Sequence, residues 1–512
     1  MNEALARVPG LLAQHVLLSA AALLLGLAIA LPLTIWSARN QAVARVTLGF
    51  ASLVQTIPAL ALLALFYPVL LFFSGLVGGG IPALGFLPSL LALALYALLP
   101  ILRNGVTGLA NLDPAVLQAA DGVGMTARQK LWMVEAPLVA PVLMAGIRTA
   151  AVWTIGAATL STTVGQPSLG DLIFAGLQTQ NWTLVVVGCL ASAALAMVVD
   201  ALLGLAERSI AARRKGRFWT SIGVLVAGVL LALVSMLPGS GGKHVVIGAK
   251  GFSEQYILAR MIGHRLEAAG YRVSYREGLG SAVVFNALTS NDIDVYVDYS
   301  GTIWTNEMGR KAGPGRAQIV NGVAQWAMRT HHVRLLGALG FENTYAFAMR
   351  GDDAKRRGIT SLTDLARQAP QLNFGTDLEF LDRPEWKQVQ QAYGMHFRSA
   401  HPYTPSFMYR ALASKRVDVI SAFSSDGRIA KQHLKVLTDP KHAIPGYDAI
   451  LMVSPDHADD AKMIAALKPL VGRIPIGLMR QANYMVDRST DKKSPDAAAR
   501  WLEHQIRLPQ GK

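Results

Sequence analysis

Of the chain's 512 residues, 52% are apolar and only 16% are charged, which excludes a single soluble globular domain and points to a membrane-embedded part. A formal net charge of +15 raises nucleic acid as a partner, but many basic residues lie in short loops beside apolar segments, so no nucleic acid is expected. The only cysteine, Cys189, excludes an internal disulfide and a CxxC metal site.

From Val46 to Leu102 there is no Asp, Glu, Lys or Arg, whereas after Lys243 charges recur every few residues. Six spans are predicted, at 15–36, 47–73, 86–102, 137 to just before 165, 182–206 and 218–237, each of the length that crosses a bilayer core. Pro58 and Pro68 predict a kink or break in the second. Arg39 and Arg45 follow span one; Arg103, Arg128 and Lys130 follow span three; Arg208, Arg213, Arg214, Lys215 and Arg217 follow span five. The opposite loops, 74–85 and 165–181, carry one charge, Asp171. That asymmetry places the N-terminus and everything after span six outside the cytoplasm. Asp200, in span five, reads as a functional intramembrane carboxylate or as a group solvated at the cytoplasmic interface.

Between spans three and four runs a cytoplasmic insert, 113–126. Asp113 is placed to cap a helix whose first residue is Pro114, and Gly122 and Gly124 end it. Its Gln118-Ala119-Ala120-Asp121-Gly122, then Gly124 and later Pro137, resembles the coupling loop of type I ABC importer permeases, with Gln118 where that family usually has Glu. The resemblance covers roughly 15–210. It implies that the short helix docks on a cytoplasmic ATPase. No GxxxxGK[ST] phosphate loop occurs here, so a separate ATPase chain is expected, with two copies of this chain forming the pore.

Pro238-Gly239-Ser240-Gly241-Gly242 reads as a flexible linker. Beyond it, strands are predicted at 245–248, 271–275, 294–299, 345–349, 373–375 and 417–423. Helices are predicted at 253–269, 282–289, 319–330, 362–368 and 406–414, an α/β alternation. The domains are thus 1–210 (five spans), 211–242 (span six and linker) and 243–512 (outer domain). Six ordered segments of the outer domain resemble the binding proteins for glycine betaine and related osmoprotectants: 248–255, 298–302, 343–347, 379–384, 423–429 and 446–447. The resemblance implies a type II periplasmic-binding fold of two α/β lobes, behind an all-α permease.

It also implies a ligand site. The matched aromatics are Tyr299, Tyr345, Phe423 and Tyr447; Phe423 replaces a frequent Tyr, keeping the ring and losing a hydroxyl. Aromatic faces suit a quaternary ammonium, which offers no N–H. Lys250 and Arg383 match the carboxylate ligands, Thr302 a hydroxyl donor, and Gln255 ranks below them. His331, His332, His396, His401 and His433 lack paired-ligand spacing, and neither a metal nor a cofactor is expected. The resemblance thus implies import of glycine betaine, carnitine or choline. Two rivals stand beside that reading: the same machine carrying ergothioneine or another betaine, and a ligand-gated channel or sensor.

Overall fold

Proline and glycine decide where the apolar N-terminal half can stay helical. In the computed structural model, residues 2–78, 80–179, 181–236, 243–310, 315–488 and 490–507 are described; the 238–242 linker lies outside them. Two compact units emerge, Met1–Phe174 with Thr183–Gly239, and Ala175–Trp182 with Ser240–Lys512.

The first unit is all helix. α1 (Asn2–Arg39), α3 (Ala59–Leu76), α4 (Phe86–Ala110), the helical run Ala127–Val164, α9 (Trp182–Ala211) and α10 (Lys215–Ser235) are long and apolar enough to cross a membrane. The expected second span divides: α2 (Gln41–Thr56) stops at Ile57, where Pro58 forces an extended residue before it. Pro68 is absorbed inside α3. α8 (Gly170–Gln178) occupies a stretch expected to be loop. Asp200 on α9 accepts two hydrogen bonds from the Arg148 guanidinium, at 2.6 and 2.7 Å, so the carboxylate expected as functional or interfacial is paired.

The second unit holds two five-stranded sheets. β1 (His244–Lys250), β2 (Arg272–Leu279), β3 (Val295–Tyr299), β4 (Arg334–Glu342) and β10 (Asp448–Val453) run in the order β2-β1-β3-β10-β4. β5 (Tyr345–Arg350), β6 (Asn373–Thr376), β7 (Ser399–Pro402), β8 (Val419–Phe423) and β9 (Leu434–Val436) run in the order β7-β6-β8-β5-β9. β1–β3 are parallel, and β10 returns from the far end of the chain to lie antiparallel between β3 and β4. The chain crosses between sheets at 343–344 and again at 437–447, and the Asn343 N–H donates to the Tyr447 carbonyl at 2.9 Å, tying the crossings together. The ends of β1, β3, β5 and β8 meet at this seam, which is where ligands of open α/β sheets collect.

The helix Pro495–Gln505 closes the first lobe over α11 (Ser253–Ala268). His264 of α11 sits 2.7 Å from Asp496 and 3.1 Å from Glu503 on that helix. Glu503, then Asp496, raise its pKa above 6.5 against the opposing effect of burial. Stability from such a group is fully present below 6.5 and is lost as pH rises through the raised folded value. Thermal melts of residues 243–512 should therefore weaken over that window, and His264→Gln should flatten the slope. An unchanged slope would contradict the linkage.

Candidate functional site

Strand register brings the aromatic residues together. Tyr345, first in β5, is the cross-strand partner of Phe423, last in β8, and their ring centroids are 5.0 Å apart. Tyr447, in the second crossing, stands edge-on to Tyr345 at 6.2 Å and 88°. Gly301 makes room for it: a Cβ there would come within 2.8 Å of the Tyr447 ring and of the Gly446 carbonyl. Tyr299, the last residue of β3, comes from the other lobe. Phe252 joins the two lobes, stacked 6.2 Å from Tyr299 and 6.3 Å from Phe423. The four aromatics expected from the sequence thus form one cluster with Phe252, which the sequence reading did not assign. Its ring between Gly251 and the α11 N-terminus was the available signal. Trp386 packs against Phe347, Phe374, Phe380 and Phe397 in the second lobe.

Tyr299, Tyr345 and Tyr447 are buried, and burial pushes their pKa values well above the ordinary tyrosine range. They are neutral rings there. The Tyr299 hydroxyl donates to Glu254 at 2.6 Å and accepts from the Gln255 amide at 3.1 Å. Glu254 also accepts from Asn343 at 3.2 Å and Asn483 at 2.9 Å. Gln255 is therefore engaged in holding Tyr299. Burial raises the Glu254 pKa, with hydrogen bonds from Ser425, Tyr299, Asn483 and Asn343 opposing.

The two cations expected as a carboxylate clamp differ. Lys250, 4% exposed, places its ammonium 2.5 Å from the fully buried Asp298, 48 residues away. Asp298 also accepts from the Tyr296 hydroxyl at 2.6 Å. The Lys250 charge is thus already answered inside the lobe, 5.5 Å over the Tyr299 ring. Arg383 is 7% exposed, and its guanidinium lies 5.3 Å over the Tyr345 ring. Its Nε and Nη1 are buried without a hydrogen-bond partner, and Nη2 stands 4.0 Å from Glu379. Burial opposes its charge, yet neighbouring Tyr345, Tyr447 and Glu385 raise its pKa on balance. Two buried guanidinium nitrogens with unspent N–H groups beside aromatic rings call for an anionic acceptor.

Thr302 is buried in the turn following β3. Beyond it the Thr305 hydroxyl donates to Glu385 at 3.0 Å, and Tyr447 donates to the same carboxylate. Glu385 is fully buried, and its Oε2 has no partner. Sequence reasoning missed it, because no spacing relates it to Tyr447, 62 residues on.

In the first unit, Asp113 caps α5 (Pro114–Gly122), accepting from the Ala115 N–H at 2.8 Å. Gly124 takes φ +78°, and Thr126 with Gln129 forms a capping box on α6 (Ala127–Lys130). Lys130 reaches back to Asp121 at 2.7 Å. Gln118, Ala119, Asp121 and Gly122 are exposed and Ala120 is buried. Val116 and Val123 are 39% and 74% exposed on the same segment.

Two lobes hinged on paired crossings around an aromatic cleft, on a chain with six apolar spans among its described residues, define the substrate-binding and membrane parts of a binding-protein-dependent importer. The comparisons agree: residues 243–504 match the substrate binding domain of the ABC-type glycine betaine transport system, and residues 22–212 the binding-protein-dependent transport system inner membrane component. The chain belongs to this family, as a fusion of permease and substrate-binding domain. It is 30% identical over 470 residues to the ergothioneine transport permease/ergothioneine binding protein EgtU of Helicobacter pylori (strain G27), covering 88% of this chain and 82% of that protein. It is 38% identical over 197 residues to the choline transport system permease protein OpuBB of Bacillus subtilis (strain 168), 38% of this chain and 85% of that one. It is 28% identical over 276 residues to the carnitine transport binding protein OpuCC of Listeria monocytogenes serotype 1/2a (strain 10403S), 52% of this chain and 89% of that protein. The permease part belongs in the inner membrane, and the second domain is of the extracytoplasmic type.

Proposed function

We propose that this chain binds and imports quaternary-ammonium osmoprotectants of the glycine betaine, carnitine and choline class, driven by a separate ATPase. The observation that carries the reading is the cluster of Tyr299, Tyr345, Phe423, Tyr447 and Phe252 beside the unspent Arg383 N–H groups. Rings accommodate a trimethylammonium head by cation–π attraction, about 0.5–2 kcal/mol per face. Arg383 takes the carboxylate as a fork. Lys250, held by Asp298, braces the first-lobe wall beside Tyr299, with Thr302 and Gln255 lining and ordering that side. The exposed α5, with Gln118, Ala119, Val116 and Val123, is the ATPase-docking element, and Ala120, Asp121, Gly122 and Gly124 set its shape.

Two copies forming one pore fits the Arg148–Asp200 pair, which is about one-third exposed on the helix surface at 33% and 38%. Charges on otherwise apolar spans avoid lipid and face protein or water.

A second reading is favoured by Glu385. Its unpartnered Oε2 wants a donor, and glycine betaine has none. The hydroxyl of carnitine or choline satisfies it within the first reading, and a betaine bearing a ring N–H satisfies it in the second; the Helicobacter pylori relative is named for ergothioneine. A thermal-shift panel on residues 243–512 with glycine betaine, carnitine, choline and ergothioneine tests both readings. Stabilisation by at least one of them is expected. If ergothioneine alone stabilises, the second reading replaces the first, and if none does, both fail.

A further inference from the structure

The segment that follows α5 is joined to the first span by an ion pair outside the ligand cleft. After α6 the backbone makes a single π-helical turn, Leu131–Glu135, before α7 (Ala136–Ala158) begins. Such turns are rare and recur at functional positions. Glu135, the last residue of that turn, is 1% exposed. Its Oε2 lies 2.5 Å from Arg39 Nη2, while its Oε1 is buried without a partner. Arg39 is the last residue of α1, and the single non-helical residue Asn40 separates it from α2. A buried carboxylate answered by one cation on another helix is costly to separate, because the acid is then left uncompensated. The contacts therefore run without a gap. Asp121 of α5 holds Lys130 at 2.7 Å, Lys130 leads into the π turn, and Glu135 at its end holds the α1–α2 corner.

We propose that the Arg39–Glu135 pair is the joint that passes displacement of the α5–α6 segment to the α1–α2 corner, so that it sets how much transport each ATP drives. The inference rests on the ATPase-docking role proposed for α5. Arg39 and Glu135 act here as positioning residues.

The test uses the full chain in proteoliposomes with the ATPase that co-purifies with it. Uptake of whichever of labelled glycine betaine, carnitine, choline or ergothioneine the native chain accumulates is measured with ATP hydrolysis on the same vesicles, and ATPase retention is measured alongside. In Arg39→Ala and Glu135→Gln, uptake per ATP is expected to fall roughly tenfold with retention unchanged, the scale of an ordinary coupling energy. The exchange Arg39→Glu with Glu135→Arg should return the ratio to within about threefold of the native value, because the two positions are directly coupled. A native ratio in both single variants overturns the proposal, as does an exchange no better than the single variants. Loss of the folded chain in all three also overturns it, marking a purely structural pair. Ala119→Trp on α5 separates the underlying reading: if the ATPase still co-purifies with that variant, α5 is not the docking helix, whatever Arg39 does.

Discussion

Tyr345→Leu is expected to weaken quaternary-ammonium binding by residues 243–512 about thirtyfold, the loss of roughly 2 kcal/mol for a desolvated aromatic face. Tyr345 touches the cluster on several sides: Phe423 at 5.0 Å, Phe380 at 4.7 Å, Tyr447 at 6.2 Å and the Arg383 guanidinium at 5.3 Å. Leucine keeps much of the buried bulk and removes the π face. Tyr345→Ala should bind still less, but it also opens a cavity at a buried position, which costs about 3–5 kcal/mol for an aromatic-to-alanine change. Calorimetry on the leucine variant, with its melting temperature as control, reads the cage directly. Native affinity in a folded Tyr345→Leu would remove the aromatic-cage assignment.

Arg383→Ala should separate ligands by their chemistry. For a carboxylate-bearing betaine it removes a buried charged donor, a loss of about 2–5 kcal/mol or at least roughly thirtyfold in affinity. Choline carries no carboxylate, so its affinity should move by less than about threefold. Arg383→Lys restores the charge without the planar fork and should recover only part of the loss. Equal weakening of choline and glycine betaine would mean that Arg383 organises the lobe instead of gripping a carboxylate.

The readable parts of this chain are those whose signal is local. Apolar runs and basic loops announce the spans, and Pro58 announces the break between α2 and α3. The β1–α11 unit shows in Val245 to Gln255 because strand, glycine turn and helix start are contiguous. β4 was obscured by Gly337 and Gly340, which take positive φ within it. β10 is a continuous apolar run, as a strand buried on both faces should be, but it pairs with β3 about 150 residues earlier and no spacing shows that. The site divides in the same way. The resemblance of six ordered segments to osmoprotectant-binding proteins marked Tyr299, Tyr345, Phe423 and Tyr447. The partners that fix charges were invisible, because Lys250 meets Asp298, Tyr447 meets Glu385 and Arg39 meets Glu135 only once the chain folds. That is why the expected Lys250–Arg383 clamp emerges as one neutralised lysine and one arginine with N–H groups to spare.

Uptake of labelled glycine betaine, carnitine, choline or ergothioneine into proteoliposomes, with and without the co-purifying ATPase and ATP, tests the importer reading most directly. The account predicts accumulation of at least one of them against its gradient, only when both are present. Equilibration of the ligand without ATPase or ATP would contradict it and identify a ligand-gated channel.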